Sequence, residues 1–128
     1  MSNGVVILIG RFLLAVIFIL AGFSKLADPA GTAAYMQGVG LPWPAFTAWA
    51  VSLFELVAGL FVLVGYRTAA AATLLGLFSI AAGFIGHWDP GNVVEMQILF
   101  KDIAIGGGLL VLAAAGPGRI ALDRRPAG

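Results

Sequence analysis

Few side chains in this sequence can do acid–base or electrostatic work, and most of those that can stand inside apolar runs. Glu55 lies within the run from Trp49 to Val64. A carboxylate in a membrane span is expensive and faces protein, water or a counter-charge rather than lipid. It is also a group that can take up and deliver protons at an apolar site. Arg11, Lys25, Lys101 and Asp102 are the other charges set in apolar runs, with Gln97 one turn before Lys101 and His87 the only histidine. At the helical rise per residue, Glu55 lies about 15 Å below one end of its helix, and Lys101 lies about 12 Å below the same surface if its helix starts near Val93. Glu55–Lys101 is therefore the first ion pair expected. Arg11, about 9 Å in from the opposite end of its helix, is a second candidate partner. Asp102 points about 100° away from Lys101, towards Lys25 near the rim or towards Glu95. Buried pairs of this kind also fix helix register without chemistry, and an arginine near a helix end can snorkel. Both readings stay open for Glu55, Lys101 and Arg11. His87, in a polar turn at a helix end, reads as a cap or surface group before a ligand.

The elements that must position these residues are spans. The chain has 128 residues, 61% hydrophobic and 10% charged, with mean hydropathy +1.04. Soluble domains carry about a quarter of their residues as charges, so the composition places this chain in a bilayer. The length allows a single domain over residues 1–128. A net charge of +1 gives no electrostatic case for nucleic acid. The absence of cysteine excludes disulfides, thiol redox chemistry, cysteine-ligated zinc and iron–sulfur clusters within this chain. One histidine cannot supply bis-histidine haem ligation, and no metal site is expected.

Four apolar blocks approach the roughly 20 residues that a helix needs to cross the hydrocarbon core: residues 5–27, 45–64, 68–85 and 94–115. None alternates with period two, so the expected fold is all-α, a polytopic membrane four-helix bundle. The first block lacks a basic leader and is longer than a signal-peptide core, so it reads as a retained span. Asp28 and Pro29 are a helix cap and first residue. They predict a short interfacial helix between spans 1 and 2, ended by Gly38 or Gly40. Gly65-Tyr66-Arg67 is so short that spans 2 and 3 should form a tight antiparallel pair. Lys and Arg favour the cytoplasmic side; Arg67, Arg119, Arg124 and Arg125 share one side, so both termini are expected there. Tyr35, Trp43, Trp49 and Trp88 then form an aromatic belt at the opposite interface.

Each span carries a stripe of small and polar residues: Phe18, Gly22 and Lys25; Ser52, Glu55 and Gly59; Gly76, Ser79 and Gly83; Gln97, Lys101 and Gly108. Small residues let helices approach closely in lipid, and polar ones turn inward. The simplest packing points all four stripes at a common axis. Gly106-Gly107-Gly108 reads as a packing feature.

Together, Arg11-Phe12-Leu13-Leu14-Ala15, the Gly22-Phe23-Ser24-Lys25 segment, Gly40-Leu41-Pro42, Glu55 with Gly59 and Gly65, Gly86-His87 and Gln97-Ile98-Leu99-Phe100-Lys101-Asp102 resemble the DoxX family of small four-helix membrane proteins. The resemblance runs from Arg11 to Arg119. It implies a membrane subunit that anchors a redox protein partner in the lipid bilayer and presents a quinone site, since the family includes relatives of thiosulfate:quinone oxidoreductase. On that reading Glu55 carries protons, Lys101 and Arg11 stabilise the reduced ring oxygens, and Lys25, Gln97, His87 and Asp102 surround the bound molecule. Electrons come from a partner or bound cofactor, because the chain has no electron-carrying group of its own. Two other classes stand beside it: a non-enzymatic protein that binds or transports a small anion, lipid or metabolite, and a structural or assembly subunit. The absence of an inverted repeat weakens the transporter. The oligomeric state is left open, and the expected location is the inner membrane.

Overall fold

A computed structural model describes residues 2–123. Among the described residues the chain forms five helices: α1 (Asn3–Ala27), α2 (Pro29–Gly38), α3 (Pro44–Val64), α4 (Thr68–His87) and α5 (Val93–Ala115). All except α2 are long and apolar enough to cross a membrane. The expected short helix is α2. Asp28 caps it by accepting from the Gly31 N–H at 3.0 Å, and Pro29 occupies its first position. Gly38 is its last residue, and Gly40 turns the chain at φ 84°. The span boundaries differ from the expected ones by two residues or fewer, chiefly because α4 runs through Gly86 and His87.

The packing differs from a bundle with one polar axis. The small-residue stripes are spent on two tight pairs. In the first, a Cβ on Gly22 would lie 2.7 Å from the Leu56 nitrogen and 2.8 Å from the Ser52 carbonyl oxygen, while Gly59 lies against Phe18 and Ile19. Here α1 and α3 approach as closely as backbones allow. In the second, a Cβ on Gly106 would meet the Gly76 carbonyl oxygen at 2.8 Å and Ile80 at 2.6 Å, and one on Gly83 would meet the Asp102 Cβ at 2.9 Å. This pairs α4 with α5. Close approach of this kind supplies the dispersion that holds helices together where lipid is as apolar as protein. The short α3–α4 turn therefore joins two pairs rather than creating the tightest one. At that seam Phe54 meets Phe78 edge to face, with ring centroids 5.3 Å apart. The core joining the pairs includes Ala15, Phe18, Val62, Ala72, Leu75 and Leu109.

After α5 the chain folds back beneath the α3–α4 turn. The Leu122 N–H donates to the Val64 carbonyl and the Asp123 N–H to the Gly65 carbonyl. The Asp123 carboxylate accepts from the Arg67 N–H at 2.6 Å and the Thr68 N–H at 2.9 Å. It supplies the cap that Arg67, held at φ 46°, does not provide itself. Trp43, Trp49 and Trp88 are exposed at the opposite end, where an aromatic belt is expected. Arg124 and Arg125, on which the expected orientation partly rests, lie outside the described residues.

Candidate functional site

The two helix pairs diverge towards the end of the bundle that holds Lys25. The gap between them is a cavity of about 820 Å³ lined by all five helices. Its walls are largely apolar, with Phe18, Val51, Phe78 and Ile105 among them. The helix α2 covers part of it. Its backbone packs on α3 and α1 and not on α4 or α5. The Tyr35 side chain reaches across, its hydroxyl seated against Gly86, where any Cβ would displace it.

One wall carries the buried charge that the sequence singles out. Glu55 is 4% exposed, and its Oε1 accepts from the Lys25 Nζ. This replaces the expected Glu55–Lys101 pair. Lys101 is exposed and lines no part of the cavity. Equal depth was a poor guide because α3 pairs with α1, not with α5, and the azimuth of Lys101 turns it away from α3. Lys25 lies one turn beyond Gly22, the residue on which α1 and α3 touch, so its side chain reaches Glu55 along that contact. Gly22 and Lys25 on one stripe, with Ser52, Glu55 and Gly59 on another, are the sequence signal for this pair.

Arg11 is no second partner of Glu55, and it does not snorkel. It is 2% exposed and lies at the opposite end of α1. There its guanidinium donates to the Pro117 carbonyl at 2.8 Å and the Leu63 carbonyl at 3.2 Å. It fastens the returning C-terminal segment to α1 and α3. Gln97 is exposed on α5 and outside the cavity, because the α5 face that meets α4 runs through Leu99, Asp102 and Gly106.

The opposite wall carries Asp102 and His87. Asp102 packs on Gly83, and the Ser79 hydroxyl donates to its backbone carbonyl at 2.9 Å. Among the described residues Asp102 makes no ion pair, so neither Lys25 nor Lys101 is its partner. His87 Nδ1 lies 2.6 Å from Glu95 Oε2, joining the end of α4 to the first turn of α5. Tyr35, placed in the aromatic belt by its sequence, also lines the cavity. Burial, then the charges of Glu95 and Asp102, raise its hydroxyl above the usual tyrosine range, so it remains a neutral donor. The structure thus gathers Lys25, Glu55, Asp102 and His87, adds Tyr35, and leaves Arg11, Gln97 and Lys101 outside.

The DoxX family model matches residues 6–88. The chain is 36% identical to the inner membrane protein YphA of Escherichia coli (strain K12) over 129 residues, covering 97% of this chain and 92% of that protein. It is 35% identical to the inner membrane protein YqjF of the same organism, covering 92% and 89%. Similarity extends to the uncharacterized membrane protein Rv3486 of Mycobacterium tuberculosis (strain ATCC 25618 / H37Rv), 29% identical over 90% of this chain and 77% of that protein. No solved structure matches the chain with significance.

Proposed function

This chain belongs to the DoxX family of integral membrane proteins, and from that premise we propose that it is a quinone-binding subunit that anchors a redox protein partner. The observation that carries this reading is the Lys25–Glu55 contact on the wall of a largely apolar cavity between the helix pairs. A quinone ring needs an apolar slot with few, well-placed polar groups, and its reduction needs protons delivered into that slot. A Lys–Glu pair holds an exchangeable proton in the interior at no net charge, and a proton passed to a bound oxygen must be replaced, because its loss leaves the Glu55 carboxylate without its cation. Electrons come from the partner. In this reading Lys25 and Glu55 touch the bound ring oxygen, and Asp102 and His87 lie across from them. Residues 1–128 act as one domain in the inner membrane with both termini cytoplasmic. That orientation places Arg67 and Arg119 on the cytoplasmic side.

Mass spectrometry and an absorption spectrum of the gently solubilised protein test the proposal. Co-purified quinone is expected, as is slower quinone reduction by the assembled complex carrying Glu55→Gln. Purified protein free of quinone, with a Glu55→Gln complex that reduces quinone at the normal rate, refutes it. Because the chain has no cysteine, single cysteines at Arg119 and at Asn92 report orientation through an impermeant maleimide. Labelling of Asn92→Cys alone from the periplasm is expected.

A second reading has its own observation. The Lys25–Glu55 pair lies on the α1–α3 seam beside Gly22, where it also fixes the register of the two helices. A purely structural pair predicts that replacing both residues with apolar ones leaves function intact.

A further inference from the structure

Most polar groups that line the cavity are already engaged. The Thr32 hydroxyl donates to the Asp28 carbonyl at 2.8 Å, the Thr47 hydroxyl to the Pro42 carbonyl at 2.6 Å, and the Ser79 hydroxyl to the Asp102 carbonyl. The Asp28 carboxylate caps α2. His87 is turned to Glu95. Apart from Ser24, beside Lys25 on α1, the polar side chains of the cavity with no hydrogen-bond partner among the described residues are those of Tyr35 and Asp102. They come from different helices, α2 and α5, and are brought to the same strip of α4. The missing side chain of Gly83 makes room for Asp102, and that of Gly86, three residues on, makes room for the Tyr35 hydroxyl.

Resting on the quinone reading above, we propose that Tyr35 and Asp102 form a second hydrogen-bonding pole. The cavity then selects a neutral molecule with an oxygen at each end of a flat apolar body. One oxygen accepts from Lys25 and the other from the Tyr35 hydroxyl and from Asp102 in its protonated form. A 1,4-quinone has this shape. The charge inventory points the same way. The carboxylates of Glu55 and Asp28 line the cavity together with the single ammonium of Lys25, and that ammonium is already committed to Glu55. A small anion would meet repulsion without a free cation to offset it, which sets aside the anion-binding alternative. Tyr35 supports the assignment as a neutral donor, its hydroxyl held protonated chiefly by burial.

The test uses the full chain in lipid nanodiscs and two probes: decylubiquinone, with two ring carbonyls, and 4-decylphenol, with one ring oxygen. Binding is followed by tryptophan fluorescence quenching. Tyr35→Phe and Asp102→Ala are each expected to weaken decylubiquinone about tenfold, as loss of one hydrogen bond does, and to leave 4-decylphenol unchanged. Lys25→Met is expected to weaken both probes. Tyr35→Phe keeps the ring and its packing. Infrared spectra of bound decylubiquinone give a second readout that does not depend on Asp102→Ala folding: two shifted carbonyl bands in the wild type, one of them returning towards its free frequency in Tyr35→Phe. If decylubiquinone binds and Lys25→Met weakens it, but neither pole variant changes affinity or carbonyl bands, the second pole is overturned and the quinone reading stands. If decylubiquinone does not bind the wild-type chain, both are overturned.

Discussion

Lys25, near the end of α1, donates its ammonium proton to the carboxylate of Glu55 on α3, and the contact forms one wall of the cavity. Neither residue has another ionic partner among the described residues. The pair therefore sets the local charge by itself. A change to one member is a change to the environment of the other.

Removing only one member should be far worse than removing both. Lys25→Met leaves the buried Glu55 without its cation, a loss of about 3–5 kcal/mol for an interior pair. Lys25→Met with Glu55→Met should recover most of it. Thermal unfolding in detergent micelles across the four members of the cycle measures the coupling. Simple additivity of the two single losses would contradict the pairing.

Arg11 holds two backbone carbonyls, those of Leu63 and Pro117. Arg11→Lys keeps the charge but offers a compact ammonium in place of a planar fork. It should cost about 1–3 kcal/mol and loosen the segment after Pro117. Hydrogen exchange at residues 120–123 should rise in the variant while α4 and α5 stay protected.

Adjacent glycines on α5 should respond oppositely. Gly106→Ala puts a methyl into the Gly76 carbonyl oxygen and Ile80 and should destabilise by about 1–3 kcal/mol through overpacking. Gly107→Ala meets nothing within 4 Å and should leave the melting temperature unchanged or slightly raised. Equal losses at both positions would mean that α4 and α5 do not pack through Gly106.

Asp123 gives the fold an acid-sensitive fastening at the α3–α4 turn. Burial by itself would raise its carboxyl, but N–H bonds from Thr68 and Arg67 and the charge of Arg11 outweigh it and hold the carboxyl below its ordinary range. Its contribution is complete above about pH 3.9, the unfolded value. It is lost as pH falls through the lower folded value. Asp123→Asn should lower the melting temperature at pH 7 and flatten its decline below about pH 4, so that the two curves converge in acid. A constant offset between wild type and variant over that range would remove Asp123 from the acid response.

Much of this arrangement is legible in the residues. The four apolar blocks become the long helices because lipid admits no other way of satisfying a spanning backbone. The Asp28-Pro29 start of α2 and its Gly38 end appear as read. Of the in-span charges, Glu55, Lys25 and Arg11 are buried or paired, whereas Lys101 is exposed. Partner choice was not legible. Helical rise gives depth to within a turn, but depth does not say which helices adjoin. Lys101 matches Glu55 in depth and faces elsewhere, whereas Lys25, expected near the rim as a partner for Asp102, reaches Glu55 through its long side chain. The glycines were read as pointing to one axis, although each can close only one contact. Gly22 and Gly59 close α1 on α3, and Gly76 and Gly106 close α4 on α5. Arg11 was unreadable for another reason: its partners are backbone carbonyls, which leave no mark in a sequence.

The Arg11 contacts also order the assembly of the protein in time. The Leu63 carbonyl is 52 residues downstream of Arg11 and the Pro117 carbonyl 106 residues downstream, while Glu55 follows Lys25 by 30. When α1 leaves the ribosome it carries two cations and no partner for either. Lys25 is satisfied once α3 arrives, Arg11 only in part. The last of its bonds waits for α5 and the segment behind it. Until then the guanidinium on α1 lacks the carbonyl that completes its binding in the folded chain.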